Sequence, residues 1–442
     1  MNIQLSDHFG YAKLLRFTLP SIAMMIFTSI YGVVDGLFVS NFVGKTEFAA
    51  VNFIFPFLMI LGTVGFMLGT GGSALIAKTM GEGDKERANS LFSLFVYTGL
   101  IVGVVIAIVS FIFIRPIAAL MGAEGELLDY CVTYGRILII SLPALILQFM
   151  FHSFFVTAEK PQLGLFVTVG AGVTNMVLDA LLTAVFPLGI VGAATATAAS
   201  QIVGGFVPLL YFARKNSSLL CLTKTRFDGR ALLKASANGS SELMSNVSMS
   251  LVSMLYNIQL MKYAGENGVA AYGVLMYVNF VFVSMFIGFA VGSAPIFSFH
   301  FGADNSGELK SLLKKSTVIN IAASLFMAAA AFLLAVPLSK IFVGYDVGLY
   351  EMTVRGFKIS ACSYLFSGLA IFGSSFFTAL NNGIISAIIS FLRTLVFQIG
   401  AVLILPIFFE IDGIWLSIVV AEFIAAAVSV TFIIGKRKKY KY

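Results

Sequence analysis

Charge is what this sequence has least of. Asp, Glu, Lys and Arg make up 11% of its 442 residues, against a hydrophobic share of 59%. A soluble domain carries roughly 25% charged residues. With a mean hydropathy of +0.97, that scarcity excludes a soluble globular protein and implies an integral membrane protein. No polar stretch is long enough for a soluble domain. Cysteine is scarce as well. Cys131, Cys221 and Cys362 are odd in number, far apart, and form no CxxC or Cys/His pattern. That excludes a disulfide framework or a zinc site, and they read as small apolar fillers. No phosphate-binding loop, nucleophile elbow or metal cluster occurs, so nothing marks an ATP site or an enzyme. Near Met1 there is no short apolar stretch ending in a small-residue cleavage site, so no cleaved leader is expected.

What is present is a set of twelve long apolar runs. They fall at roughly 14–41, 48–79, 91–114, 130–156, 163–186, 189–213, 236–262, 268–299, 315–337, 350–378, 384–407 and 412–435. A helix needs about 20 apolar residues to cross a bilayer. The runs are continuous rather than alternating, which predicts helices and not barrel strands. The expected fold class is all-α integral membrane, with twelve transmembrane helices. An even number of spans puts both termini on one side. That side carries twenty of the Lys and Arg residues, while Lys45, Arg115, Lys262 and Lys340 lie on the other. The bias places both termini in the cytoplasm of a multi-pass plasma (inner) membrane protein. The net charge of +7 is therefore a topology signal, with no nucleic-acid partner implied. The "KRKKYK" tail is a solvated stop signal that could also touch anionic membrane lipid.

The two halves repeat weakly at a shift near 221 residues. "FVGKTEFAAVNF" (42–53) lies over "YAGENGVAAYGV" (263–274), and "GFMLGT" (65–70) over "GFAVGS" (288–293). The same shift aligns three further pairs. The expected organisation is a six-helix lobe over 1–213, a basic linker over 214–234, and a second six-helix lobe over 235–442. Six spans per copy insert both copies the same way up, as a parallel repeat about an axis along the membrane normal. Such an architecture favours a transporter whose site lies between the lobes. Asp35 falls on Tyr256 under the repeat, and Asp179 near Gly400, so these carboxylates are not duplicated.

A carboxylate inside hydrocarbon costs a few kcal/mol or more, so Asp35, within "YGVVDGLFVS", asks for a use. In span 5, "NMVLD" puts Asn175 and Asp179 on one helix face. Counted at 1.5 Å per residue, Asp35, Asp179 and Thr197 all sit roughly 10–14 Å below the outer surface. If spans 1, 5 and 6 line one cavity, these oxygens converge. Two close carboxylates cannot easily both stay ionised, so a proton or a Na+ ion fits between them, with Asn175 and Thr197 as neutral oxygen donors. The alternative is that each acid caps a broken helix or pairs with a buried base. No Lys or Arg lies at that depth in spans 1, 5 or 6. Pro20 could kink span 1 and change how far Asp35 projects, or simply sit near a helix start at little cost.

Other polar residues inside spans are Arg393, about ten residues into span 11, and Gln148 and His152 on one face of span 4. Arg393 suits a structural role, pairing with an acid across the C-terminal lobe or holding backbone carbonyls, ahead of a substrate role. His152 is expected to be a hydrogen-bonded buried histidine, and His300, at a span end, to be wet. The span 2 glycines (Gly62, Gly65, Gly69, Gly71, Gly72) predict close helix packing.

The whole chain resembles the multidrug and toxic compound extrusion (MATE) family, its first half most like the DinF-type branch. The matching residues are Pro20, "VVDGLFVSNFVG", "GTGGSALIAKTMGEGD", "NMVLD" and "GAATAT". The resemblance implies two six-helix lobes around a central cleft. It implies that Asp35, Asn175, Asp179 and Thr197 bind the coupling proton or sodium ion, and that Pro20 is the bend point of span 1. Substrates would be apolar, often cationic, drug-like small molecules, expelled as cations enter, with no cofactor. A monomer is expected. Glu242, early in span 7, resembles an acid that other branches carry there. It is either a second cation or substrate contact, or a capping glutamate facing water. The main alternative function is a lipid-linked oligosaccharide flippase of similar architecture, which would need several basic residues in the cavity where only Arg393 lies deep. A membrane enzyme is a further alternative, but His152, Asp35 and Asp179 do not share one depth.

Overall fold

A chain this apolar must satisfy its backbone hydrogen bonds within itself, and in a bilayer that leaves helices. The computed structural model describes residues 3–442, apart from the side chains of Leu37, Ser40, Asn41 and Lys45. Among the described residues it is helical, with no strand. The first six helices are α1 (Tyr11–Phe42), α2 (Lys45–Gly81), α3 (Lys85–Leu120), α4 (Gly125–Thr157), α5 (Pro161–Asp179) and α6 (Gly189–Ala213). α1 continues through Pro20 without a break. α5 ends in a widened π turn over Ala180–Val185.

The next helical stretch, Gly229–Gly302, is 74 residues long. Straight, it would measure about 110 Å at 1.5 Å per residue, several times the bilayer's roughly 30 Å. It breaks at Gly265, where φ is 60° and ψ −152°, a backbone region open essentially to glycine alone. The arms α7 (229–264) and α8 (266–302) double back, and Tyr256 stacks on Tyr272 across the turn at 5.3 Å. α9 is Ser306–Val343, and α10 is the bent pair Val347–Ala361 and Tyr364–Ala379, with 50° between its parts. α11 starts at Gly383, passes a π turn over Leu392–Val396 and runs to 409. A second break at Glu410 (φ 50°, ψ −127°) separates it from α12 (411–440). Among the described residues nine helices pass as membrane spans by length and apolarity, and the bent pair makes a tenth. The two breaks bring the crossings to twelve.

The cores show how the lobes meet. One apolar cluster lies wholly in the first half, from Val39 to Ala198. Another lies wholly in the second, from Val252 to Trp415. A third joins both halves near the face that carries the termini, including Leu14, Leu75, Phe297 and Leu312. The lobes therefore share a core at the terminal face and keep separate cores towards the opposite face. Glycines make the shared seam possible. Gly71 packs against Ala235 and Gly239, Gly81 against Phe299, and Gly302 against Lys78, backbone to backbone. Gly65 and Gly69 do the same within the first lobe, against Ile146 and Met150, as the span 2 spacing predicts.

Residues 3–10 fold over this seam. Leu5 and Phe9 are fully buried. The Leu5 N–H donates to Glu159 Oε1 of the first lobe at 2.6 Å, and the Phe9 N–H to Glu308 Oε1 of the second at 2.9 Å. His300, expected to be wet, is only 2% exposed, because it lies against the backbone of Leu5 and Asp7.

Candidate functional site

α1, α5 and α6 come together as the depth argument requires. Asp35 Oδ1 accepts from Asn175 Nδ2 at 3.5 Å and from Thr197 Oγ1 at 3.4 Å. These are long bonds, so the carboxylate is only loosely held. The Asp35 and Asp179 carboxyl groups lie within hydrogen-bonding reach of each other. Asp35 is partly exposed, whereas Asp179 is wholly buried and Asn175 nearly so. Among the described residues both Asp179 oxygens and Asn175 Oδ1 are buried without a hydrogen-bond partner. Buried polar atoms are almost always paired, and an orphan asks for an explanation. Three orphan oxygens beside a second carboxylate describe a site short of positive charge.

The π turn that follows Asp179 belongs to this local structure. A π turn is a costly departure from the α-helix and is frequent at functional sites. Two tyrosines that the sequence did not single out complete the surroundings. Tyr134, buried on α4, faces Thr197, and Tyr31 on α1 faces Gln148. One-turn spacing between Tyr31 and Asp35 was the available signal for the first. Nothing local marked the second.

Of the other predicted positions, Gln148 joins the margin of this site through Tyr31. His152 does not join it. It is buried between the rings of Phe66 and Phe149, at 6.5 and 6.2 Å, and among the described residues neither ring nitrogen has a partner. The expected hydrogen bond is absent because α2 presents aromatic carbon there. Pro20 is buried in α1. Glu242 is partly exposed on α7. Arg393 does find its acid across the C-terminal lobe. The partner is Glu422 of α12, which accepts from Nη2 at 2.9 Å and from Nε at 3.0 Å. Glu422 is an acid inside an apolar run, a signal legible in the sequence. Among the described residues no group of three or more His, Cys, Asp or Glu could hold a metal ion. Of the cysteines, Cys131 is a buried filler as expected, while Cys362 is exposed at the α10 bend.

Comparison with known proteins agrees with the fold. The MatE family model matches residues 20–181 and again 243–404, two stretches of equal length related by nearly the shift of the internal repeat. The multidrug export protein MepA of Staphylococcus saprophyticus subsp. saprophyticus is 24% identical over 425 residues, covering 94% of this chain and 92% of its own. Among solved structures, one described as the outward-facing conformation of a multidrug resistance MATE family transporter of the MOP superfamily has a TM-score of 0.93. It is 24% identical, and the match covers 100% of this chain and 98% of that one. A crystal structure of MATE in complex with MaL6 also gives 0.93, at 23% identity and 98% coverage of both chains.

Proposed function

This chain belongs to the MatE family, and on that premise we propose that it is a secondary active exporter of apolar or cationic drug-like small molecules, driven by inward movement of H+ or Na+. The observation that carries the reading is the pair Asp35 and Asp179, within reach of each other, with both Asp179 oxygens and the neighbouring Asn175 Oδ1 buried and, among the described residues, without partners. A proton shared between the carboxyls, or a sodium ion held by them with Asn175 and Thr197, relieves both the repulsion and the orphaned atoms. Relatives named as multidrug export proteins support the direction of transport and the substrate class.

In this reading the termini and the closed seam face the cytoplasm of the plasma membrane, and the cleft opens outward. The protein acts as a monomer in the lipid and needs no cofactor. The arriving cation is taken up at Asp35, the more exposed of the two acids, and neutralises the pair. α1 then bends at Pro20 and weakens the hold on substrate in the cleft. Release of the cation towards the cytoplasm resets the cycle. Glu242 is the candidate acid of the second lobe. The flippase reading is less well supported, because Arg393, the one deep cation among the described residues, is already neutralised by Glu422.

The test is transport of a fluorescent cationic dye in proteoliposomes, with a proton gradient and a sodium gradient imposed separately. One gradient should drive the wild type, and Asp35→Asn should abolish that transport. Undiminished gradient-driven transport by Asp35→Asn would move the coupling elsewhere. A wild type that moves no dye under either gradient would overturn the exporter reading.

A further inference from the structure

The end of α2, the start of α3 and the start of α7 enclose a hollow of about 580 Å³ on the terminal face. It lies at the edge of the seam, where Gly71 meets Ala235. Four cations line it. Lys78 and Arg87 come from the first lobe, and Arg230 and Lys234 from the first turns of α7. Two acids, Glu82 and Asp228, line it as well. Glu82 is taken by Lys78, at 3.4 Å. Asp228 is taken by the helix start, where its Oδ1 accepts from the N–H groups of Arg230 and Ala231. Among the described residues Arg87, Arg230 and Lys234 have no ion pair. The charges of Lys78 and Arg87 act on Lys234 against its own, with Glu82 as the counterweight. The hollow thus holds more positive charge than it neutralises, gathered from both sides of the seam.

Its depth is that of lipid headgroups. The apolar run of α2 ends at residue 79, that of α3 begins at 91 and that of α7 at 236. Each of the four cations therefore lies on the order of 10 Å or less from a hydrocarbon boundary. The headgroup layer is about 5–8 Å thick on each side, and long basic side chains span the remainder. A second, shallow hollow adjoins the first and shares Asp228 and Arg230 with it. Its wall is apolar, with Phe227 83% and Leu233 73% exposed. A soluble anion gains nothing from such a wall. A phospholipid carries a charged head beside an apolar chain and matches both hollows at once. Basic pockets between transmembrane helices on the cytoplasmic side take anionic headgroups, and the orientation proposed above puts this face there.

We infer that Lys78, Arg87, Arg230 and Lys234 form a binding site for the phosphate of an anionic phospholipid, with an acyl chain laid along Phe227 and Leu233. Arg87, Arg230 and Lys234 supply the charge that no acid of the protein takes up. Lys78 keeps Glu82 from repelling the phosphate. Because its cations come from α3 on one side and α7 on the other, the bound lipid spans the two lobes at the edge of the seam.

The experiment measures binding of a phosphatidylglycerol with a fluorescent acyl chain to the full chain in dodecyl maltoside, by polarisation. Unlabelled dioleoylphosphatidylglycerol, dioleoylphosphatidylcholine, glycerol phosphate and inorganic phosphate are the competitors. Dioleoylphosphatidylglycerol should displace the probe, and the other three should not. Arg87→Gln, and Arg230→Gln together with Lys234→Gln, should weaken binding about fivefold for each charge removed. Lys310→Gln with Lys314→Gln removes two charges from α9 on the same face and should leave the affinity unchanged. All five positions are exposed, so these variants keep the fold, and their unfolding midpoints in detergent check that. Equal weakening by the α9 variant would mean that diffuse charge attracts the lipid, and would overturn the site. Displacement by phosphatidylcholine would overturn the role of the cations, and displacement by inorganic phosphate the assignment to a lipid. Weakening by the Arg230 and Lys234 pair but not by Arg87→Gln would overturn the span between lobes. The readout is binding and not transport, so its failure leaves the exporter reading standing.

Discussion

Asp35 on α1 and Asp179 at the end of α5 hold their carboxyl groups within hydrogen-bonding reach of each other, with Asp179 wholly buried. Two ionised acids so placed repel, and the orphaned Asp179 oxygens add a desolvation cost. Asp179→Asn supplies a permanent donor to Asp35 and removes one charge. Its unfolding midpoint in detergent should therefore match or exceed the wild type, with a gain of about 1–3 kcal/mol, while gradient-driven transport falls to background. A variant that is less stable yet fully coupled would contradict the role given to this pair.

The seam between the lobes depends on the absence of side chains. A Cβ at Gly71 would meet the Ala235 carbonyl, and one at Gly302 the Lys78 carbonyl. Backbone cannot yield as a flexible side chain can, and overpacking costs about 1–3 kcal/mol. Gly71→Val should therefore part the lobes at the terminal face. Ser241, beside Gly239 and 1% exposed, reports on this as Ser241→Cys. A maleimide should label it in the Gly71→Val background and not otherwise. Gly273→Ala, where the space is open, is the control and should leave labelling unchanged. Equal labelling in all three backgrounds would mean that the seam does not depend on these glycines.

His152 is buried with both ring nitrogens unpaired, which costs free energy and gains no hydrogen bond. His152→Leu should leave the unfolding midpoint unchanged or raise it by about 1–3 kcal/mol, with dye transport retained. Lost transport at normal stability would instead assign this histidine a functional part.

The segment over the seam carries a pH dependence at Glu159, in the turn between α4 and α5. Burial pushes its carboxyl up, and the Leu5 N–H opposes that rise. For an acid raised by folding, the stabilisation is present at low pH and is lost as pH climbs through the folded-state value. Wild-type stability should therefore decline across that range by no more than about 1.4 kcal/mol per pH unit, the limit for one proton. Glu159→Gln should flatten the profile there. Parallel profiles for the two proteins would show that Glu159 does not titrate in this way.

Much of the fold was legible in one dimension. Span length and continuous apolarity are sums along the chain, so the twelve crossings and the internal repeat could be read from it. Depth is also a count of residues from a helix end, which is why Asp35, Asp179 and Thr197 could be placed at one level. The 50° bend after Ala361 was not legible, because no proline or glycine marks it. His300 read as a wet span end, and only the fold of residues 3–10 across two lobes buries it.

By itself the sequence determined that this chain lives in a membrane, how often it crosses, and which acids lie too deep to be idle. Only the tertiary structure decided which of those charges meet. Arg393 takes Glu422 rather than Glu242, and Asp35 meets Asp179 across helices far apart in the chain. The physical reason is that hydrophobic burial adds up residue by residue, whereas a contact between charges depends on interhelical distances, and those are set by packing.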